Sequence, residues 1–479
     1  MVSWPSFPLR VIPTLPTLQL SDDERATITR LQAQLNGLRP LMELNEAYYL
    51  GEQVMTTLGI AIPDELKGLR TVIGWPATAA VDPLAVRCNV LGFRLRGATD
   101  TDQDLQDQWD ANNLDAEQAL LTLDALSIGS GWYTIGAGDS NSDPAMIRVE
   151  SPLNMSAEWD PRALRPRNVL QTYWAGDSWH MVLYKPDGNV YIDDDGDGQW
   201  VVSERQRHNV GRPLAVRAVN RPRTRARDGA SEITAAIRSL TDSACRALLN
   251  LTVAGEIYSV PRRYILGATE SDFQNTDGTA KSGWDAYITT MLGLERDENG
   301  ELPTVGQFQA YDPATFTKVL DFYAAQMAGM TGAVPQELGL YTEGNPPSAD
   351  SVEFAESRRN RNARRKHAQL GVAHVEALQL GMMVQNGGKL PGNMRHISVE
   401  WEDPAQLSFS AAADGLQKLI SVGSIPARSD VTLGKAGFTP VERARLAQDR
   451  DNDQGEQELA ALAGRLRGSG DATPGAVAG

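Results

Sequence analysis

One short stretch of this chain carries acidic residues at the spacing of a calcium-binding loop. The pattern D-x-D-x-D-G-x5-E is formed by Asp193, Asp195, Asp197, Gly198 and Glu204. Carboxylates at this spacing coordinate calcium in EF-hand loops, which lie between two helices. Here the flanking segments VYI and WVV alternate as strands do, and Asp-Gly runs also form ordinary hairpin turns. We therefore favour a solvated turn, with a weak calcium site at Asp193, Asp195, Asp197 and Glu204 as the alternative.

Motifs for bond chemistry are missing from the rest of the sequence. It contains neither a G-x-x-x-x-G-K-[ST] loop for a nucleotide phosphate nor a G-x-S-x-G elbow for a nucleophilic serine. His367 and His374 lie seven residues apart on one predicted helix, where packing or surface roles are favoured over a metal pair. Cys88 and Cys245 are expected to be buried small apolar residues. We predict no catalytic residue and no cofactor.

Two basic clusters interrupt an acidic chain. The sequence has 45 Lys and Arg against 61 Asp and Glu, a formal charge of -16, so tight general binding of nucleic acid is not expected. The clusters are Arg221, Arg223, Arg225 and Arg227, and then Arg358, Arg359, Arg361, Arg364, Arg365 and Lys366. Because the second set is spread around a helix, we favour salt bridges between subunits, with contact to phosphates as the alternative.

The elements that position these residues indicate an α+β protein with more than one core, since 479 residues are too many for a single core. Helical spacing is predicted over residues 21–51, 82–95 in part, 102–128, 231–257, 313–330, 350–383, 411–420 and 440–467. Between 131 and 219, short β-branched and aromatic runs separated by Gly, Asp, Asn and Pro predict an antiparallel β region. The sequence shows neither a signal peptide nor an apolar run that could span a membrane.

A Gly/Pro-punctuated loop, TGAVPQELGLYTEGNPPSAD, separates two of the predicted helices. Gly332 and Pro335 are expected to end the first helix, and Ser348 is expected to cap the second. The connection between them is expected to be mobile. A helix, a loop holding TG-x-x-P and NP-x-SAD, and a long charged helix together resemble the tunnel-loop region of portal proteins from tailed double-stranded DNA bacteriophages.

The resemblance extends to other motifs in the same order. These are NEAYYLGEQ with its Tyr-x-Gly signal, WDANNLDAEQALLTLDALSIGSGWYTIG, SPLNMSAEWDP, and the Asn-Arg, Gly-x-Ser-x-Ile and Leu-x-Asp elements that lie between residues 219 and 267. Together they cover about residues 45–445. The order that they share, rather than any single motif, carries the resemblance.

The resemblance implies a portal fold with wing, stem, clip and crown regions. The regions would be an N-terminal arm (1–20), a wing that is helical and then β-rich (21–228), a stem helix (229–257), a clip (258–312), a second stem helix (313–330), a tunnel loop (331–349), a wing helix and strand (350–410), a crown (411–467) and a disordered tail (468–479). The loop would present Gly332, Pro335, Glu337, Glu343, Asn345, Pro346, Ser348 and Asp350 to the channel. The stem would pack between subunits through Ile233, Ile237, Leu240, Ala244 and Leu248, unless these face the subunit's own core.

The function that the resemblance implies is a channel rather than an enzyme. Portal proteins form a ring, usually of twelve subunits, at one capsid vertex, through which DNA is packaged and later ejected. The expected partners are further copies of the chain, the terminase large subunit, major capsid and scaffold proteins, a head-completion adaptor, and double-stranded DNA without sequence specificity, but no membrane. The expected location is the virion, and the host cytoplasm during assembly. The alternatives are another virion structural or adaptor protein and a metal-dependent DNA nuclease.

Overall fold

The computed structural model describes residues 19–54, 71–98, 100–138, 140, 143–163, 165–194, 200–258, 263–266, 304–307, 313–340, 349–405, 409–438 and 442–450. The chain divides into two compact units, Met1–Pro404 and Ala405–Gly479. Helices and antiparallel sheets are both present, which confirms the α+β prediction. Within the described ranges, no helix has the length and apolar character needed to cross a membrane.

The first helix, α1 (Asp22–Leu50), has both ends specified by local sequence. Ser21 and Glu24 form a capping box, in which each side chain accepts a hydrogen bond from the other residue's backbone N–H. At the other end Gly51 adopts the left-handed conformation, with φ 71°, which a residue with a Cβ resists. The helix runs within one residue of the limits that the sequence predicts.

A short helical segment and two further helices follow α1. A turn of π-helix (Pro76–Val81) leads into α2 (Asp82–Ala85), strand β1 (Val90–Leu95), α3 (Gln103–Ala111) and α4 (Leu114–Ser127). Asp102 starts α3, because its carboxylate accepts a hydrogen bond from the N–H of Leu105.

The strands between residues 130 and 219 form two antiparallel sheets. The three-stranded sheet has the order β3 (Met146–Glu150), β2 (Ser130–Gly136) and β9 (Ala215–Val219). The five-stranded sheet runs in chain order through β4 (Met155–Asp160), β5 (Arg165–Ala175), β6 (Ser178–Lys185), β7 (Gly188–Asp194) and β8 (Trp200–Arg207). The β region that the sequence predicts is confirmed.

Three long helices follow the sheets: α5 (Ala235–Tyr258), α6 (Ala314–Thr331) and α7 (Ala349–Gln385). α5 packs against α6, while α7 packs against β2, β9 and β12 (Ile397–Trp401), which pairs with β1. Between α5 and α6 in the chain, β10 (Arg263–Leu266) and β11 (Thr304–Gln307) form an antiparallel pair. Most of the region expected to be the clip lies outside the described residues.

The start of α5 corrects the sequence prediction, which placed it at residue 231. Ser231 donates its hydroxyl to the carbonyl of Ser127 and accepts a hydrogen bond from the N–H of Ile233 at 2.8 Å. The N–H of Glu232 donates to the carbonyl of Leu126 at 2.8 Å. Because residues 231 and 232 are bonded to the end of α4, the helix begins only at Ala235.

Apolar side chains of the first unit pack in three clusters within its described part. The main cluster lies between the three-stranded sheet, α3, α4 and α7. A second forms where α1, the π-turn, α5 and α6 meet, and a third lies between α1 and the five-stranded sheet. Burial of each large apolar side chain contributes about 1.5 to 3 kcal/mol, so these clusters fix how the helices are placed around the sheets.

The described part of the second unit is helical. It contains α8 (Phe409–Ser421), α9 (Asp430–Lys435) and a helical stretch over residues 442–450. α8 confirms the helix predicted over 411–420, whereas the helix predicted over 440–467 is described only as far as 450. The predicted disordered tail lies outside the described residues.

Candidate functional site

The first half of the predicted tunnel loop is an ordered turn attached to α7. Gly332 ends α6 in the left-handed conformation, φ 76°, and its N–H donates to the carbonyl of Ala328 at 2.8 Å. A 3-10 turn (Pro335–Leu338) follows and ends at Gly339, φ 79°. The sequence prediction that Gly332 ends the helix is confirmed. The sequence predicts a mobile connection between Gly332 and Ser348, and of this segment residues 341–348 lie outside the described residues.

An ion pair between a buried arginine and a partly exposed glutamate joins this turn to α7. The guanidinium of Arg359 donates to both carboxylate oxygens of Glu337, at 2.8 and 2.7 Å, and only 1% of the Arg359 side chain is exposed. Although burial raises it, the pKa of Glu337 is lowered overall by the hydrogen bonds and charge of Arg359. Glu337 thus holds the turn on α7, while 40% of its side chain stays exposed, and its place beside a channel stays a prediction.

A second buried ion pair lies further along α7. Lys366 donates through Nζ to Glu232 at 2.5 Å and to the side-chain oxygen of Asn220 at 2.6 Å. Burial lowers the pKa of Lys366, and the charge of Glu232 opposes that shift. Arg221, held at φ 50°, approaches the same carboxylate at 3.6 Å. One carboxylate therefore connects α7 to the segment that precedes α5.

These pairs correct the expectation for the second basic cluster. Arg359 and Lys366 bond within their own subunit, and Arg364 reaches Asp403 of the same chain at 3.1 Å. The remaining cations, Arg358, Arg361 and Arg365, are exposed, and no carboxylate of the described chain pairs with them. Sequence spacing shows that the cluster surrounds the helix, but it does not show which members have partners in their own chain.

A cleft of about 360 Å³ opens beside these exposed arginines. Its polar lining comprises Arg221, Glu232, Thr234, Thr331, Arg358, Asn362, Arg365 and Lys366. Four of these residues are cationic and one is anionic, so the lining has a net charge of 4 minus 1, or +3. The cleft lies against the ordered end of α6, where Arg358 donates to the carbonyl of Gly329 at 2.7 Å.

Residues from separate sequence motifs of the family resemblance meet near this cleft. Tyr48 of NEAYYLGEQ donates its hydroxyl to Asp242 of the Leu-x-Asp element at 2.7 Å, and Arg238 donates to Asn45 at 2.6 Å. Asn220 of the Asn-Arg element donates to the carbonyl of Ala230 at 2.8 Å. The first two bonds join α1 to α5, and Asn220, to which Lys366 of α7 donates at 2.6 Å, joins α7 to the segment that precedes α5.

Contacts in the segment that precedes α5 explain why the Gly-x-Ser-x-Ile element has glycine, serine and isoleucine at its three positions. Gly229 has φ 90°, and a Cβ there would clash with the carbonyl oxygen of Gly129. Ser231 bonds to the end of α4, and Ile233 is fully buried in the second apolar cluster. In this motif the glycine allows a close backbone approach, the serine hydroxyl bonds to the end of α4, and the isoleucine packs in the core.

The residues predicted to pack between stem helices are largely buried within the subunit. Ile233, Ile237 and Ala244 are at most 5% exposed, while Leu240 is partly buried against the second apolar cluster. Leu248 is partly exposed. The structure thus places Ile233 and Ile237 in the subunit's own core, which is the alternative that the sequence left open, and contact of the other three with a neighbouring subunit stays a prediction.

The other predicted loop residues are only partly described. Pro335 begins the 3-10 turn, and Asp350 lies in the first turn of α7. Glu343, Asn345, Pro346 and Ser348 fall outside the described residues.

The predicted calcium pattern lies between strands rather than helices. Asp193 lies near the end of β7 and Glu204 lies in β8, while Asp195 and Asp197 lie outside the described residues. The carboxylate of Asp193 contacts Nδ1 of His180 at 2.6 Å, and Nε2 of His180 contacts the Ser178 hydroxyl at 3.1 Å. Sequence reasoning missed this Ser-His-Asp network. Because the same Nε2 also lies 3.3 Å from the carbonyl of Ala175, the network holds the β5–β6 hairpin together.

The histidines and cysteines predicted to have packing roles are buried in the structure. His367 stacks on Trp401 with ring centroids 4.4 Å apart, and Nδ1 of His374 lies 2.9 Å from the hydroxyl of Tyr133. Complete burial lowers the pKa of His374 to about 3. Burial also raises the pKa of Cys88 to about 12, so its thiol is poorly reactive. These predictions are confirmed.

Comparison with known proteins identifies the family. Residues 28–432 match the model of the phage portal protein family described as SPP1 Gp6-like. The chain is 33% identical to the portal protein of Mycobacterium phage D29 over 440 residues, which cover 89% of this chain and 87% of the relative. It is also 33% identical to the portal protein of Mycobacterium phage L5 over 411 residues, which cover 84% and 81%.

The chain therefore belongs to the phage portal protein family, whose members are structural components of the virion and not enzymes. Among solved structures, a chain of the virion of a native gene transfer agent particle matches with a TM-score of 0.40 and 12% identity, over 84% of this chain and 94% of that chain. Family membership sets aside the nuclease alternative.

Proposed function

We propose that this protein forms a ring-shaped channel at one capsid vertex, through which double-stranded DNA is packaged and later ejected. The observation that carries the proposal is the match to portal proteins over most of the chain at 33% identity. The expected partners are the terminase large subunit, capsid and scaffold proteins, and a head-completion adaptor. The expected location is the portal vertex of the virion, with the host cytoplasm as the place of assembly.

The portal architecture is assigned to the described elements as follows. The wing comprises the segment from α1 to β9 together with α7 and β12. The stem helices are α5 and α6, and β10 and β11 belong to the clip. The segment between α6 and α7 is the tunnel loop, and α8 onward is the crown. The packing of α5 against α6 and of α7 against β9 supports this assignment.

The acidic charge suits a channel that passes DNA of any sequence. A formal charge of -16 limits binding to phosphates, which would otherwise slow the movement of DNA. The described half of the tunnel loop carries no Lys or Arg, and neither do residues 341–348 of the sequence. Loop cations therefore cannot be the groups that hold phosphates in this protein.

The turn between β7 and β8 is proposed to be a solvated hairpin connection without calcium. The strands on both sides of it, and the bond from His180 to Asp193, favour a hairpin over an EF-hand. Calorimetric titration of calcium into the wild type and the Asp195→Ala variant is expected to give no binding heat. Heat in the wild type that the variant lacks would establish a calcium site instead.

The native mass of the purified protein tests the proposed function. Native mass spectrometry combined with negative-stain imaging is expected to show a closed ring of about twelve subunits with a central hole, because heterologous contacts that close generate rings. A protein that remains monomeric or dimeric at high concentration would contradict ring formation by the isolated chain, and would favour the alternative of a capsid-associated adaptor.

A further inference from the structure

The three exposed arginines of α7 lie along one face of the helix. Arg358, Arg361 and Arg365 are spaced by three and four residues, which brings side chains onto the same side of an α-helix. We name these residues the arginine face. Arg364, one position before Arg365, points about 100° away and bonds to Asp403. The arginine face therefore differs from the other cations of the cluster in having no carboxylate partner among the described residues, although Arg358 also donates to the carbonyl of Gly329.

The cleft beside the arginine face is suited to a single carboxylate side chain. Arg358 and Arg365 line it, and its net charge of +3 attracts an anion. Each backbone phosphate of a duplex carries a single negative charge, as a carboxylate does, so the shape of the cleft rather than its charge distinguishes the two ligands. A recessed cleft also admits one side chain more readily than the continuous backbone of a duplex.

Elsewhere on the same chain lies an acidic surface without matching cations. We name it the acidic patch; it consists of the exposed Glu43 and Glu52 and the half-buried Glu46, all at the end of α1, while Asp124 of α4 is buried too far to belong to the surface. Burial and the charges of Glu43 and Glu52 raise the pKa of Glu46, while burial and the charge of Glu46 raise the pKa of Asp124 to about 7. Apart from a contact of Glu43 with Arg39 at 4.0 Å, no cation of the described chain pairs with this patch.

We propose that the arginine face of one subunit binds the acidic patch of a second copy of this chain. The inference rests on the proposed ring, in which each heterologous contact joins two different surfaces of the same subunit. Among the described residues the arginine face has no carboxylate partner and the acidic patch has only the contact of Glu43 with Arg39, and the charges of the two surfaces are opposite. The contact gives each surface the opposite charge that it lacks. It also makes all subunits point the same way around the ring, because two like-charged surfaces repel.

Charge reversal on both surfaces tests the contact. One variant carries Arg361→Glu and Arg365→Glu, and the other carries Glu46→Lys and Glu52→Lys. Arg358 is left unchanged because it bonds to the end of α6. In either variant alone every contact places like charges together, so association between copies is expected to weaken at least about tenfold. In a 1:1 mixture, an alternating ring makes every contact complementary, and association is expected to recover.

Sedimentation velocity of the full chains measures this association without requiring a complete ring. Arg364→Glu is the matched control and is expected to associate as the wild type does, and the thermal unfolding of each variant shows that it is folded. Variants that assemble as the wild type does, or a mixture that fails to recover although both variants are folded, would overturn the inference.

The outcomes for the wild type separate this inference from the proposed function. A wild type that associates through the two surfaces without closing a ring contradicts the ring and leaves the contact intact. A ring that forms equally well from either variant contradicts the contact alone. A wild type that stays monomeric at every concentration counts against both.

Discussion

At the scale of single residues, the described part of the subunit places several charged groups where water reaches them poorly. Arg359 is 1% exposed and Lys366 is 4% exposed at the side chain, yet each has a carboxylate partner at 2.8 Å or less. Transfer of a charge out of water is costly unless a partner compensates it. These pairs therefore matter less for the stability that they add than for the damage that loss of one partner would cause.

Glu337→Gln is expected to destabilise the subunit by about 1 to 3 kcal/mol, because it leaves Arg359 buried without a counter-charge. The pKa of Glu337 is lowered in the folded state, so its contribution is present above the ordinary carboxyl pKa and is lost as pH falls through the folded value. Urea denaturation at pH 7 and at pH 4 measures both effects, and the difference between wild type and variant should shrink at pH 4.

The matched control for this substitution is Glu400→Gln. Glu400 pairs with Arg94 at 2.6 Å, but both side chains are about a third or more exposed, and such pairs contribute about 0 to 1 kcal/mol. Equal losses in the two variants would contradict a special role for the buried pair.

Asp124→Asn is expected to stabilise the unassembled subunit at pH 8. Burial and the nearby Glu46 raise the pKa of Asp124 to about 7, so the wild type loses stability as pH rises from about 4, where the unfolded chain ionises, to about 7. The gain should reach on the order of 2 to 4 kcal/mol above pH 7 and vanish near pH 4. Thermal or urea unfolding across this range measures it, and a gain that does not change with pH would contradict the assignment to the charge of Asp124.

At the scale of elements, sequence periodicity predicted most of what local interactions decide. The capping residues of α1, the left-handed glycine after α6 and the alternation along β5 to β8 are local signals, and each element was predicted. The start of α5 was wrong because Ser231 bonds to Ser127, which is distant in sequence. Such a contact leaves no trace in the periodicity of the helix itself.

The candidate site was less predictable than the elements for the same reason. The pair of Lys366 with Glu232 joins residues 134 positions apart, and that of Arg359 with Glu337 joins residues 22 positions apart. The sequence indicated that Arg358 to Lys366 surround a helix, and from this it favoured contacts between subunits. Only the folded chain shows that, among the described residues, the arginine face is the part left without a carboxylate partner.

At the scale of the whole molecule, family membership and charge lead to the same kind of function. The match to portal proteins extends from residue 28 to residue 432, so it includes α5, α6 and α7, the sheets and the start of the second unit. Among the motifs that carry this likeness, hydrogen bonds join α1 to α5, and the bond from Lys366 to Asn220 joins α7 to the segment that precedes α5.

The same balance of charge predicts weak binding of DNA by the isolated subunit. With a formal charge of -16, it is expected to bind a short duplex no more tightly than about 100 μM at physiological salt, the weak end of the range for non-specific binders. Fluorescence anisotropy with a labelled duplex, repeated at several salt concentrations, measures both affinity and salt dependence. If the three arginines of the arginine face bind phosphates, binding should be tighter and the slope of log K against log salt should be near -2.7, or about 0.9 for each phosphate. That result would assign these arginines to DNA instead of a neighbouring subunit. Loss of that slope in the Arg361→Glu, Arg365→Glu variant, but not in Arg364→Glu, would complete that reassignment.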